Sequence, residues 1–71
     1  MANLSHTQKR IIAALQNGGA LSRHLGAWRV YEGDQSWVAT AETCERLMAR
    51  DYITAGSAHG VFVLTEKGQQ A

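Results

Sequence analysis

Cys44, His6, His24 and His59 are the side chains of this 71-residue sequence best equipped to act as nucleophile, base or metal ligand. Their placement argues against each role. The histidines are far apart in sequence, whereas metal sites draw their ligands from short, fixed spacings, so one thiol with three scattered histidines is a poor metal set. Cys44 falls on the apolar face of a predicted helix, where a thiol is a small core residue and a poor nucleophile. There is no GxGxxG, no phosphate-cradling lysine loop and no paired catalytic carboxylate motif. The expectation is a protein without enzymatic activity, cofactor or metal.

Binding chemistry has more to work with. On the outward face of the predicted second helix, Thr43, Arg46 and Arg50 lie in one stripe, the arrangement by which side chains reach base edges or phosphates of duplex DNA. Glu42, four residues before Arg46, is placed for a surface ion pair, and Glu45 adds a second negative charge. A DNA-reading face and a solvated face of local ion pairs therefore stand level. His59 and Ser57 sit among glycines in a predicted loop and Lys67 lies just beyond it, so His59 and Lys67 join the DNA-binding candidates. That loop has no Lys or Arg of its own.

A second group is aromatic. Trp28, Tyr31 and Trp37 are candidates for anchoring a protein partner, because tryptophan, tyrosine and arginine dominate interface hot spots. The competing reading is that both tryptophans enlarge a small core. Lys9, Arg10, Arg23, His24 and Arg29 are the remaining basic residues, with Arg23 and Arg29 on opposite alternation sets of a predicted hairpin.

The elements that must position these residues follow from pattern. Ser5 and Gln8 form a capping box, Ile11, Ile12, Ala14 and Leu15 a buried stripe, and Asn17-Gly18-Gly19 a helix stop. Residues 20–32 alternate, and Gly26-Ala27 suits a type II′ turn between two strands; a short helix over Ala20 to Leu25 is the alternative. Gly33-Asp34-Gln35-Ser36 reads as a turn. Thr40 caps a second helix from Ala41 to about Arg50, with Ala41, Cys44, Leu47 and Met48 facing the first. Tyr52-Ile53-Thr54 and Val61-Phe62-Val63-Leu64 are strands joined by a mobile tip, with Phe62 and Leu64 on the core side. The whole chain, 1–71, is read as one α+β domain.

Composition narrows the class. Hydrophobic residues make up 45% and proline is absent, which suits a globular domain. Seven Lys and Arg against six Asp and Glu give a net charge of +1, far from the basic balance of a strong nucleic-acid binder. No signal-peptide pattern or membrane-length apolar run is evident, so a cytoplasmic location is expected. So short a chain forms a marginal core, which makes a homodimer or a larger partner an expectation.

The run from Glu45 to Ile53, followed by Val61-Phe62-Val63-Leu64-Thr65-Glu66-Lys67-Gly68, resembles the recognition helix and wing of MarR-type winged-helix regulators. In those families a helix leucine, a turn, an isoleucine, a glycine-bearing tip and a leucine-threonine-x-x-glycine ending occur in this order. The resemblance implies a winged-helix-like fold and a small transcriptional regulator, with its helix in the major groove and its wing tip on the backbone. The long dimerisation helices of MarR-type proteins are missing. A hairpin ahead of the second helix is more similar to small YjhX-type bacterial proteins. A protein-binding module or inhibitor on the same scaffold, of phage, plasmid or toxin-like kind, is the alternative function.

Overall fold

The computed structural model describes residues 4–71. Helix α1 (His6–Gln16) begins at the capping box: Ser5 Oγ accepts the Gln8 amide at 3.1 Å, and Gln8 Oε1 accepts the Ser5 amide at 2.7 Å. Ile11, Ile12 and Ala14 are buried on one side. Gly18, at φ +88°, ends the helix, and the Gly18 and Gly19 amides donate to the carbonyls of Leu15 and Ala14.

Strands β1 (Ala20–His24) and β2 (Ala27–Glu32) then pair antiparallel, so this stretch is a hairpin and not a short helix. Its turn is Leu25-Gly26, one residue earlier than the Gly26-Ala27 pair that sequence suggested. Leu25 (φ +52°) and Gly26 (φ +81°) have two successive positive φ values, the type I′ pattern, whose twist matches that of the flanking strands.

The expected turn over residues 33–36 is confined to Gly33 and Asp34, because a third strand, β3 (Gln35–Ala39), begins at Gln35. Gly33, at φ +56°, lets the chain reverse within two residues, and Gln35, Ser36 and Trp37 pair with Glu32, Tyr31 and Val30. Polar Gln35 and Ser36 conceal the strand because it lies at the sheet edge, where apolar alternation is not enforced.

Helix α2 (Ala41–Ala49) is capped by Thr40, whose hydroxyl accepts from the Thr43 amide. Cys44 and Leu47 are fully buried, but Ala41 is exposed and Met48 is 40% exposed, contrary to their expected place against α1. A helix this short meets its neighbours along a narrow Cys44–Leu47 line. Arg50 is its C-cap. The Asp51 and Tyr52 amides donate to Met48 and Leu47, a Schellman closure with Asp51 at φ +66°.

Strand β4 (Ile53–Ala55) starts one residue later than expected and pairs with β5 (Val61–Leu64). A short helix, α3 (Glu66–Gln69), follows, which sequence did not foretell. Among the described residues the fold is α+β, with three helices and a five-stranded antiparallel sheet of order β3-β2-β1-β5-β4.

Both longer helices cover one face of this sheet. Leu21 lies opposite Val30 on one side and Phe62 on the other, and Val30 lies opposite Trp37, making one row across four strands. Trp28 packs its ring 4.7 Å from Phe62, and Ile11, Ile12, Cys44, Leu47 and Ile53 complete the core. The other face, bearing Ser22, His24, Arg29, Tyr31, Val38, Val61 and Val63, has no helix against it among the described residues.

The leucine-threonine-x-x-glycine run is a latch at the end of this core. The Thr65 hydroxyl accepts the Gly68 amide at 3.1 Å and donates to the Asp51 carbonyl, while the Thr65 amide bonds Tyr52. Gly68 is buried against the Tyr52 carbonyl, and a Cβ there would collide with it. Two substitutions test this end in opposite directions. Gly68→Ala is expected to lower stability by about 1–3 kcal/mol through overpacking. Asp51→Gly is expected to raise it by about 1 kcal/mol by relieving the left-handed residue. Urea unfolding of the two variants beside the parent measures both.

Candidate nucleic-acid interface

The β1–β5 pairing decides which loops become neighbours. Ser22 lies opposite Val61, and the Arg23 amide donates to the Gly60 carbonyl at 2.7 Å. The tip of the β1–β2 hairpin therefore stands beside the tip of the β4–β5 hairpin. Because β3 ends opposite Trp28, the start of α2 lies at this same end of the sheet. A cleft of about 440 Å³ separates the two tips, lined by Arg23, Leu25, Gly26, Ala55, His59, Gly60 and Phe62.

Charge follows this geometry. The sequence has no Asp or Glu in residues 20–31 or 52–65, the segments that build both hairpins. Arg23, His24 and His59 are exposed at or beside the tips. The opposite end of the sheet holds Glu32 and Asp34 at the β2–β3 turn, Asp51 after α2 and Glu66 in α3. The remaining acids, Glu42 and Glu45, are on α2. The hairpin tips thus carry no carboxylate of their own, while the opposite end mixes four acids with Arg10, Arg50 and Lys67, and α2 brings Glu42 to the tip end.

The residues singled out from sequence are not all brought together. His59 is at the β4–β5 tip, exposed. Thr43 is half-buried in the first turn of α2, its hydroxyl 2.7 Å from that of Thr40. Arg46 is ion-paired with Glu42 at 2.7 Å, and both are largely exposed, so α2 presents a mixed face. Arg50 and Lys67 lie at the far, acidic end, where Lys67 Nζ donates to the Arg50 carbonyl at 2.7 Å and sits 4.6 Å from the Tyr52 ring centroid. Lys67 thereby caps the C-terminus of α2, where a cation suits the helix dipole.

The aromatic candidates separate as well. Trp28 is 2% exposed and belongs to the core, which removes it as a surface anchor. Trp37 is half-buried under the Arg10 guanidinium, 4.2 Å from its centroid, and its indole N–H donates to Glu32. Arg10 also pairs with Glu32 at 3.4 Å, so Trp37 is held in a local network that joins α1 to the β2–β3 hairpin. Tyr31 alone is open, on the helix-free face with Val38 and Val63.

Arg23, placed over the Trp28 ring with its guanidinium carbon 5.7 Å from the centroid, was not among the site candidates. Alternation set it apart from Arg29, and only the long-range pairing of β1 with β5 brings it near His59.

Among the described residues no three His, Cys, Asp or Glu side chains gather where they could hold a metal ion. No described helix is long and apolar enough to cross a membrane. Cys44 is fully buried, and its thiol is pushed up to about 11, first by desolvation and then by Glu45. A raised native value means that stability present below the ordinary thiol range, near 9, is lost as pH climbs toward 11. Cys44 is accordingly expected to resist thiol reagents in the native state at pH 8 and to react on unfolding in urea. A Cys44→Ala variant is expected to lack the thiol's part of the alkaline loss of stability. Rapid labelling of the folded protein would contradict this assignment.

No protein-family model, no curated protein and no solved structure matches this chain.

Proposed function

We propose that this domain is a small DNA-binding protein of winged-helix type, a transcriptional regulator in class. The absence of carboxylates from both hairpin tips carries the reading. One end offers Arg23, His24 and His59 on paired hairpin tips with no nearby carboxylate from either hairpin, a surface suited to a phosphate backbone. The order of α2, β4, a glycine-bearing tip, β5 and the Thr65–Gly68 latch supports the winged-helix reading. In this reading β4–β5 is the wing and β1–β2 stands beside it.

The contact set proposed from sequence shifts accordingly. Thr43 lies in the first turn of α2, nearer the tips, and Arg46, in its last turn, exchanges Glu42 for a phosphate at little cost, since exposed ion pairs contribute about 0–1 kcal/mol. His59 keeps its proposed role. Arg50 and Lys67 are placed at the end facing away, where Lys67 serves the fold. Arg23 and His24 take their place in the interface.

Fluorescence anisotropy with a labelled duplex over a range of salt tests the proposal. Affinity is expected to fall steeply with salt, and Arg23→Ala is expected to reduce the slope of log K against log salt by about one. Lys67→Ala, by contrast, should leave affinity unchanged once stability is matched. Absence of binding at low salt sinks the reading.

A second reading has one specific observation in its favour. Tyr31, Val38 and Val63 are exposed at 43%, 63% and 44% on the helix-free sheet face, an apolar patch that suits a protein partner. It predicts a partner whose binding is lost in Tyr31→Ala and is indifferent to Arg23→Ala.

A further inference from the structure

Leu25 is the most exposed large hydrophobic residue among those described, at 93%, and it adopts a left-handed backbone with φ +52°. Neither property serves the fold. A type I′ turn favours Asn-Gly, and a branched aliphatic side chain at a positive φ is strained. Its side chain recovers almost none of that cost by burial. The Leu25 side chain therefore stands outward at the end of a two-stranded ribbon, with Arg23 and His24 directly behind it and Gly26 beside it. The ribbon contains no carboxylate until Glu32, at its opposite end.

We propose that Leu25 is a wedge that enters a base step of duplex DNA from the minor groove, with Arg23 and His24 set against the flanking phosphates. This inference rests on the DNA-binding reading above and names the groove and the deformation. An apolar side chain carried on a narrow tip beside an arginine is what partial unstacking requires: the wedge replaces the lost base contact, the Arg23 guanidinium pairs with a phosphate and the His24 imidazole offers another a hydrogen bond. A flexible pyrimidine–purine step is the least costly place to insert it. The adjacent β4–β5 tip, with His59 and the Gly60 carbonyl bonded to Arg23, braces the ribbon against tilting. Self-association through this tip would bring the Arg23 guanidinium groups of two copies together, which opposes it.

The test compares wild type with Leu25→Gly and Leu25→Asn on a short end-labelled duplex with a central thymine–adenine step, read by energy transfer between its ends. Wild type is expected to bend the duplex. Both variants are expected to bind roughly tenfold or more weakly and to lose the bend, with the salt slope unchanged because the phosphate contacts persist. Their thermal midpoints should rise, since both residues accept the left-handed turn, so weaker binding cannot come from misfolding. Wild-type binding without a bend, or unaltered bending by the variants, overturns the wedge while leaving DNA binding intact. If wild type binds no duplex at low salt, the underlying reading fails and the wedge with it, and Leu25 is then left to a protein partner.

Discussion

The pairing of β1 with β5 is the constraint on which the rest of this structure depends. Leu21 sits at its centre, fully buried, opposite Val30 on one strand and Phe62 on the other. Without that register the C-terminal hairpin would be a marginal two-stranded ribbon, and Leu21 would lose the Phe62 side of its burial. With it the N-terminal three-stranded unit and this hairpin form one sheet against which α1 and α2 close, and two loops distant in sequence become neighbours. Local hairpins are fixed by their turns, but this joint is fixed by long-range burial, so architecture and surface electrostatics share a single cause.

The same joint explains how an almost neutral chain acquires a directional surface. Antiparallel strands bring both hairpin tips to one end and send the β2–β3 turn, the end of α2 and the start of α3 to the other. Glu32, Asp34, Asp51 and Glu66 thereby separate from Arg23, His24 and His59, while Glu42 and Glu45 stay on α2. Net charge is blind to this. On α2 Arg46 balances Glu42 and leaves Glu45 over, which is why the helix that first drew notice is electrostatically the less telling surface.

Local features were the legible ones. The Ser5–Gln8 box, the Gly18 stop, the Thr40 cap and the paired strands from Ala20 to Glu32 each follow from side-chain chemistry within a few residues. The turn at Leu25-Gly26 did not, because leucine is a poor resident of a type I′ turn and only the register of β1 against β2 places it there. Strand β3 was hidden by polar Gln35 and Ser36 on an exposed edge. Helix α3 is too short to show a period, and it exists because Thr65 and Gly68 lock onto the backbone of Asp51 and Tyr52. The Leu64-Thr65-x-x-Gly68 ending turns out to hold the molecule together through the Thr65 and Gly68 contacts with Asp51 and Tyr52. Trp28, offered as a partner anchor or as core, is core, and Arg23, named only among the remaining basic residues, lies over it at the surface. Both outcomes hang on sheet alignment, which no local pattern encodes.

In the proposed reading, DNA meets the end of the sheet that carries both hairpin tips. Amide chemical-shift mapping with a short duplex at low salt tests it most directly. The account predicts that perturbations cluster at residues 23–27 and 57–60 and at the start of α2, with Glu32 to Gln35 and Thr65 to Gln69 unmoved. Perturbations centred on those latter segments, or none anywhere, would contradict it.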